Sequence, residues 1–328
     1  MKRILFDARW YGDHGIGRFA REVKKRLGDV DEFTGKLAPY HPLDCAYTGA
    51  RLALARDSVF VSPGYNSPLV SSSFAFTIHD LTHIDSKETR HPLKTAYYEL
   101  VMKPACHRAL RVFTVSEYSK HRIAEWSGLD ASRIVNVGNG VDAAFSAHGV
   151  RHTLGAPYVL CPSNRKPHKN EIRALRAFAH VHGSDDTKLL FLGEPGGELM
   201  VVARALGIEA RLAFVGRVDD RELAAVYRGA EVVLFPSLFE GFGLPVIEGM
   251  ACGTPVITST VCALPEVAGG AALLVDPINE DEIADALVKV RDDAALRASL
   301  RERGLVNVQR FSWDSTGEKV RAALHEVL

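Results

Sequence analysis

The chain has 328 residues, 47% hydrophobic and 24% charged, the make-up of a soluble globular protein with room for two domains of ordinary size. Forty lysines and arginines balance forty aspartates and glutamates, so no global charge points to nucleic acid. Residues 1–150 carry 20 basic and 16 acidic side chains and residues 151–328 carry 20 and 24, which tilts the N-terminal half weakly towards an anionic partner such as phosphate or a membrane surface.

Short apolar runs alternate with helical patterns along the chain, and this predicts an α/β protein of parallel sheets covered by helices on both faces. The first strand is Arg3–Phe6, with no signal peptide before it, and a helix is expected over Phe19–Arg26. Strands follow at Val59–Ser62, Ala75–Ile78, Arg111–Val115 and Ile134–Val137, with a helix over Lys94–Ala109. Near Ala143–Pro157 the pattern lapses into small and polar residues, which marks a linker. Alternation restarts at Tyr158-Val159-Leu160 and continues through strands Lys188–Leu192, Arg211–Phe214, Val232–Phe235, Pro255–Thr258 and Ala272–Val275. The expected architecture is two doubly wound, Rossmann-like domains facing a cleft, with ligands outside the carboxyl ends of the strands. The expected boundaries are 1–148, 149–312 and a final helix, 313–328, that packs back on the N-terminal domain. Cys45, Cys106, Cys161, Cys252 and Cys262 form no C-x-x-C pair, and scattered thiols fit a reducing cytoplasm. No apolar run approaches the roughly 20 residues needed to span a bilayer.

The densest chemistry lies in Phe235–Pro255, FPSLFEGFGLPVIEGMACGTP, where Glu240 and Glu248 stand eight positions apart. A buried strand ending in Gly241-Phe242-Gly243-Leu244-Pro245 leads into a helix, because Pro245 needs no backbone donor in a first turn. Amides at such a turn form an anion site, and glycines let a ligand approach the backbone. Glu240 is then on the loop and Glu248 on the helix behind it, able to reach different ends of one polar ligand. After Leu160 comes Ser163-Asn164-Arg165-Lys166-Pro167-His168-Lys169-Asn170, whose Arg165 and Lys169 can reach neighbouring oxygens of a diphosphate. Further strand-end loops follow at Gly193–Gly197, Gly216–Asp219 and Ser259–Leu264.

The order of these pieces resembles retaining glycosyltransferase family 4, which has the two-domain GT-B fold. The likeness is strongest from Gly216 to Pro277, through the E-x7-E segment, Ala251–Ile257, Leu264-Pro265-Glu266-Val267 and Asp276-Pro277. It implies that Glu248 binds the ribose hydroxyls of a sugar nucleotide and Glu240 holds the transferred sugar. The backbone of Gly241, Phe242, Gly243 and Leu244 would meet sugar hydroxyls or phosphate, and Arg165 and Lys169 would neutralise the leaving diphosphate. In the N-terminal half, Asp13-His14-Gly15-Ile16-Gly17-Arg18 is similar to the family's first glycine-rich loop, placing Gly15 and Gly17 towards the diphosphate. Thr77-Ile78-His79-Asp80-Leu81 is similar to the segment whose histidine points at the reacting sugar, which makes His79 a candidate catalytic residue. The likeness to bacterial surface-polysaccharide mannosyltransferases implies GDP-mannose as donor and a glycan or polyprenyl-linked saccharide as acceptor, in polysaccharide or lipopolysaccharide synthesis. A nucleotide-sugar 2-epimerase and a non-catalytic sugar-nucleotide-binding subunit are the alternatives.

No metal is expected. His79, Asp80, His83 and Asp85 include ligand types without a fixed ligand spacing, and Asp29-Val30-Asp31 follows a helix end and not a buried strand. The His91–Arg111 stretch interleaves Lys94, Lys103, Arg108 and Arg111 with Leu93, Leu100 and Val101. It reads as an amphipathic helix on its own sheet or as a basic face for anionic lipid, hence a cytoplasmic protein with peripheral contact to the inner membrane.

Overall fold

The computed structural model describes residues 3–55, 57–181 and 186–328. The chain divides into two compact units, one running through Gly140 and taking up Phe311–Leu328, the other Val141–Arg310. Among the described residues each unit is built on one six-stranded sheet, parallel throughout.

In the first unit the strands are β1 (Arg3–Asp7), β2 (Asp31–Phe33), β3 (Ser58–Ser62), β4 (Phe74–Thr77), β5 (Arg111–Thr114) and β6 (Ile134–Asn136), in spatial order β2-β1-β3-β4-β5-β6. The inner strands β3 and β4 are buried along their whole length, as continuous apolar runs in a covered parallel sheet must be. Helices α1 (Gly15–Leu27), α2 (Asp44–Ala53), α3 (Thr82–Asp85), α4 (Pro92–Tyr97), α5 (Lys103–Arg108) and α6 (Glu117–Ser127) cover it. Phe33, Phe60, Phe74, Phe76, Met102 and Ile123 form its core.

Two differences from the sequence reading have local causes. The helix expected over Lys94–Ala109 is broken by a wide turn at Tyr98–Met102, between α4 and α5. Pro104 supplies no N–H and would crowd the carbonyl four residues back, so the ladder slips there to i→i+5 spacing. No strand was expected near Asp31, yet it opens β2, an edge strand too short to show a pattern, and pairs with Arg3 at 3.4 Å.

The second unit contains β7 (Tyr158–Cys161), β8 (Lys188–Leu192), β9 (Leu212–Val215), β10 (Val232–Phe235), β11 (Val256–Ser259) and β12 (Leu273–Val275), in order β12-β11-β10-β7-β8-β9. Its helices are α7 (Glu171–His180), α8 (Gly197–Ala205), α9 (Asp220–Gly229), α10 (Leu244–Ala251), α11 (Leu264–Ala268), α12 (Glu280–Asp292) and α13 (Ala294–Asn307). Leu175, Phe178, Leu189, Phe191, Leu234 and Ile283 are among its core. Residues expected as a linker pack onto this unit: Arg228 donates to the carbonyls of Val150 (2.8 Å) and Ser146 (3.1 Å). Helix α14 (Trp313–His325) belongs to the first unit, where Arg26 donates to Asp314 at 2.7 Å and Phe19 meets Trp313 edge-on. The order in which strands are laid down reverses between β1 and β3 in one sheet and between β7 and β10 in the other, and these switch points are where crevices open in such sheets.

Candidate active site

The switch point of the second unit holds the loops that the sequence singled out. Beyond β7 the backbone passes through Arg165 (φ 61°), a single 3-10 turn at Pro167–Lys169, and Asn170 (φ 63°) before α7 begins. Beyond β10 it runs through Pro236–Gly243 into α10. Because β7 and β10 are neighbours, the two loops meet. Lys169 Nζ lies 2.6 Å from Glu240 Oε1, with the two side chains 15% and 12% exposed, and 5.0 Å from the Phe235 ring centre. The ammonium and carboxylate are thus partly dehydrated, and their attraction is stronger than that of a surface pair.

Asn170 holds this arrangement, a role not visible in the sequence. Its buried amide donates to the carbonyls of Pro236 (2.9 Å) and Pro277 (2.7 Å), tying the loops after β7, β10 and β12 together. The carbonyl of His168 accepts from Leu238 N at 2.8 Å, and Ser259 Oγ donates to the Ser237 carbonyl at 2.7 Å. Buried carbonyls at strand ends need such partners.

Arg165, expected beside Lys169 on a diphosphate, is engaged elsewhere. Its guanidinium donates to Glu171 Oε1 (2.7 Å) and to the carbonyls of Leu192 (3.0 Å) and Glu194 (2.9 Å), and stands 5.3 and 5.6 Å from the Phe191 and Phe214 ring centres. The charge therefore balances a buried carboxylate and pins the loop after β8. The structure brings Lys169 and Glu240 together and gives Arg165 a bracing role.

Gly243, at φ 109°, caps α10, and Pro245 sits in the helix's first turn. That backbone angle requires glycine, and a Cβ there would also press on Leu264 Cδ2 at 2.6 Å. Phe242 is buried, and Gly241 and Leu244 continue the turn. Glu248 lies in the second turn of α10, only 7% exposed, and its Oε2 accepts from the hydroxyl of fully buried Tyr227 at 2.9 Å. Glu240 on the loop and Glu248 on the helix thus have separate partners.

In the first unit, Gly15 and Gly17 lie in the first turn of α1, and the loop precedes them. His14 caps that turn, its Nδ1 accepting from Gly17 N at 3.0 Å. A Cβ on Gly17 would stand 2.1 Å from the Gly12 carbonyl oxygen, so the residue is glycine because α1 rests on its own entry loop. His79, just past β4, is half-buried; its Nε2 lies 2.8 Å from the Pro63 carbonyl and its ring meets Phe19 edge-on at 4.9 Å. A carbonyl only accepts, so Nε2 carries the proton and the neutral ring keeps Nδ1 as an acceptor. Burial lowers the His79 pKa below its ordinary value, against the opposing pull of the Pro63 bond and Asp80.

The four residues weighed as a cation site diverge. Asp85 pairs with Arg122 at 2.9 Å, Asp80 accepts from Thr82 N, and His83 faces the Thr89 carbonyl. Among the described residues no group of three or more His, Cys, Asp or Glu is placed to hold a metal ion.

Two doubly wound six-stranded sheets are the architecture shared with GT-B glycosyltransferases. Solved structures with this fold include sucrose-phosphate synthase from Thermosynechococcus elongatus, at TM-score 0.77 and 19% identity over 99% of both chains. Anabaena Alr3699/HepE, solved with UDP and glucose, gives TM-score 0.79 and 16% identity over 99% of this chain and 100% of that one. Glycosyl transferases group 1 matches residues 148–305 and Glycosyltransferase Family 4 matches residues 64–145. Between them the two models account for most of the chain, which marks it as a glycosyltransferase similar to family 4. Among its relatives, O-antigen chain mannosyltransferase B of Escherichia coli is 27% identical over 79% of this chain and 72% of that protein. The serotype-specific mannosyltransferase WbdA of Escherichia coli is 26% identical over 73% of this chain, which spans only 31% of WbdA. The MMP alpha-(1->4)-mannosyltransferase of Mycolicibacterium hassiacum is 30% identical over 73% of this chain and 60% of its own length.

Proposed function

We propose that this glycosyltransferase moves mannose from GDP-mannose, with retention of anomeric configuration, to a glycan or polyprenyl-linked saccharide in polysaccharide synthesis. The observation that carries the reading is the Lys169–Glu240 pair at the β7/β10 switch point, one turn of chain ahead of the helix bearing Glu248. The mannosyl donor rests on the names of the three relatives.

A diphosphate entering the crevice competes with Glu240 for Lys169. Once the ammonium turns to the leaving phosphate, it stabilises the charge that grows there as the glycosidic bond breaks. The Glu240 carboxylate is then released beside the sugar, where it faces the positive charge developing at the anomeric carbon. Glu248 takes the ribose diol with bonds equally strong before and during reaction. Turn amides from Gly241 to Leu244 bind sugar or phosphate oxygens; Gly15 at the start of α1 is assigned to the diphosphate, while the Gly17 amide is taken up by His14. His79 is the residue of the first unit assigned to the reacting sugar, as a neutral acceptor at Nδ1. Basic side chains and amides supply the charge stabilisation, so transfer is expected to persist in excess EDTA.

Among the described residues no helix is long and apolar enough to cross a membrane. Exposed Leu93 and Leu100 of the α4–α5 stretch, with Lys94 beside the first, support peripheral contact with an anionic lipid face.

Incubation with a panel of labelled sugar nucleotides and saccharide acceptors, with NMR of the product anomer, tests the reading. Transfer from GDP-mannose with an α-linked product is expected. Donor epimerisation, binding without transfer, or an inverted anomer contradicts it.

A further inference from the structure

We propose that Tyr227 is the positioning residue for Glu248: its buried phenol fixes the carboxylate in the orientation that receives the ribose hydroxyls of the donor. This rests on the assignment of Glu248 to the ribose. Tyr227 is fully buried and closes α9 from within, so it touches no ligand itself. Its hydroxyl donates to Glu248 Oε2 at 2.9 Å.

The surroundings show that the phenol is placed and not merely accommodated. Thr254 Oγ1 donates to the Tyr227 carbonyl at 2.7 Å, while Thr254 N donates to the Gly249 carbonyl at 2.9 Å, so the turn after α10 ties Tyr227 to the helix that carries Glu248. Phe145 meets the phenol ring edge-on, 5.8 Å between centres, from the segment packed behind α9. The second tyrosine near α9 offers a contrast. Tyr158 gives its hydroxyl to the Val226 carbonyl at 2.7 Å, the ordinary way of satisfying a buried phenol. Tyr227 gives its hydroxyl to a carboxylate instead.

A glutamate has three side-chain torsions, and a bidentate contact with a diol needs all of them set. A charge-assisted bond to one oxygen sets the plane of the carboxylate before the donor arrives, which reduces the ordering left to binding. The diol should then be read as a pair of hydroxyls, and removal of one should weaken binding more in the wild type than in a protein lacking the brace.

The test is calorimetry of wild type, Tyr227→Phe and Glu248→Gln with GDP and 2′-deoxy-GDP, and with UDP and 2′-deoxy-UDP. Wild type should prefer the ribonucleotide of its cognate pair by about 10- to 100-fold, the range of charge-assisted hydrogen bonds. In Tyr227→Phe that preference should shrink to roughly threefold, with 2′-deoxy affinity held, and in Glu248→Gln the further change Tyr227→Phe should add nothing. In steady state, Tyr227→Phe should raise donor KM more than it lowers kcat. If Tyr227→Phe does not fold, Thr254→Val, which loosens the same tyrosine from its main chain, should give the same selective loss. Equal weakening of both nucleotides, or an unchanged preference, overturns the proposal, as does a wild type that does not discriminate within either pair. Preference confined to the UDP pair would sink the GDP-mannose reading while leaving Tyr227 in its role.

Discussion

The two sheets of this chain treat their switch points in opposite ways. At β1/β3 the crevice is filled by the protein's own charges. Arg9, 5% exposed at its side chain, donates to Asp7 (2.8 Å) and Asp44 (2.5 Å), and Asn66 donates to both of those carboxylates (2.8 and 3.1 Å). Trp10 and Ser62 in turn donate to Asn66 Oδ1. At β7/β10 the loops are braced by Asn170, Ser259, backbone amides and the Arg165–Glu171 pair, and a further ion pair, Lys169–Glu240, takes no part in that bracing. A closed charged network spends its charges on structure. A brace that leaves one cation over keeps charge for a ligand. The same fold thus yields a closed network at one switch point and, at the other, the ion pair that the proposed function assigns to the donor.

The contrast predicts effects of different kinds. Arg9→Met should leave two buried carboxylates without their cation, a loss of about 3–5 kcal/mol in folding stability. Denaturant unfolding followed by fluorescence checks it, and a stable variant with altered turnover would move the network from structure to chemistry. Lys169→Ala should do the reverse. We expect about 2–4 kcal/mol less transition-state stabilisation, roughly 30- to 1000-fold in kcat/KM, with a loss of stability of about 1–2 kcal/mol, smaller than that of Arg9→Met because Glu240 keeps some access to water. Wild-type turnover in that variant would remove Lys169 from the mechanism.

Arg165 sharpens the comparison, because it is a cation at the donor side used as the first unit uses Arg9. Arg165→Lys loses the planar fork and should lower stability by about 1–3 kcal/mol while donor KM stays within a few-fold. A large KM effect at unchanged stability would place the guanidinium on the diphosphate after all.

The smallest effect concerns His79. Its pKa is lowered in the fold by burial, so below the ordinary value near 6.5 the unfolded chain gains a proton that the native ring resists. Stability relative to His79→Gln is therefore fully present above that pH and declines as pH falls from 6.5, by at most about 1.4 kcal/mol per pH unit. Parallel unfolding curves for the two proteins between pH 5 and 8 test this; a wild-type stability relative to His79→Gln that stays level or increases as pH falls from 6.5 to 5 would contradict it.

Much of the fold was legible because parallel strands buried on both faces are continuous apolar runs, and those were found to within a residue at most ends. β2 was not, since Asp31-Glu32-Phe33 has no room for a pattern. The turn at Tyr98–Met102 was hidden because apolar spacing cannot distinguish 3.6 from 4.4 residues per turn over five residues. At the site, Glu240, Glu248 and the glycine turn announced themselves by local spacing. The partners of Arg165 did not, because Glu171, Leu192 and Glu194 come together only through the β7–β8 neighbourhood. Asn170, Tyr227 and the Asp7–Arg9–Asp44–Asn66 network are single polar residues in ordinary surroundings, and their meaning exists only in three dimensions.

Steady-state kinetics of Glu240→Gln and Glu248→Gln test the central claim most directly. Glu240 is assigned to the charge that develops on the sugar, so its replacement should lower kcat and leave donor affinity within a few-fold. Glu248 is assigned to the ribose, so its replacement should raise donor KM more than it lowers kcat. If Glu240→Gln instead weakens donor binding severely and Glu248→Gln affects turnover alone, the two roles are reversed and the account of the donor site fails.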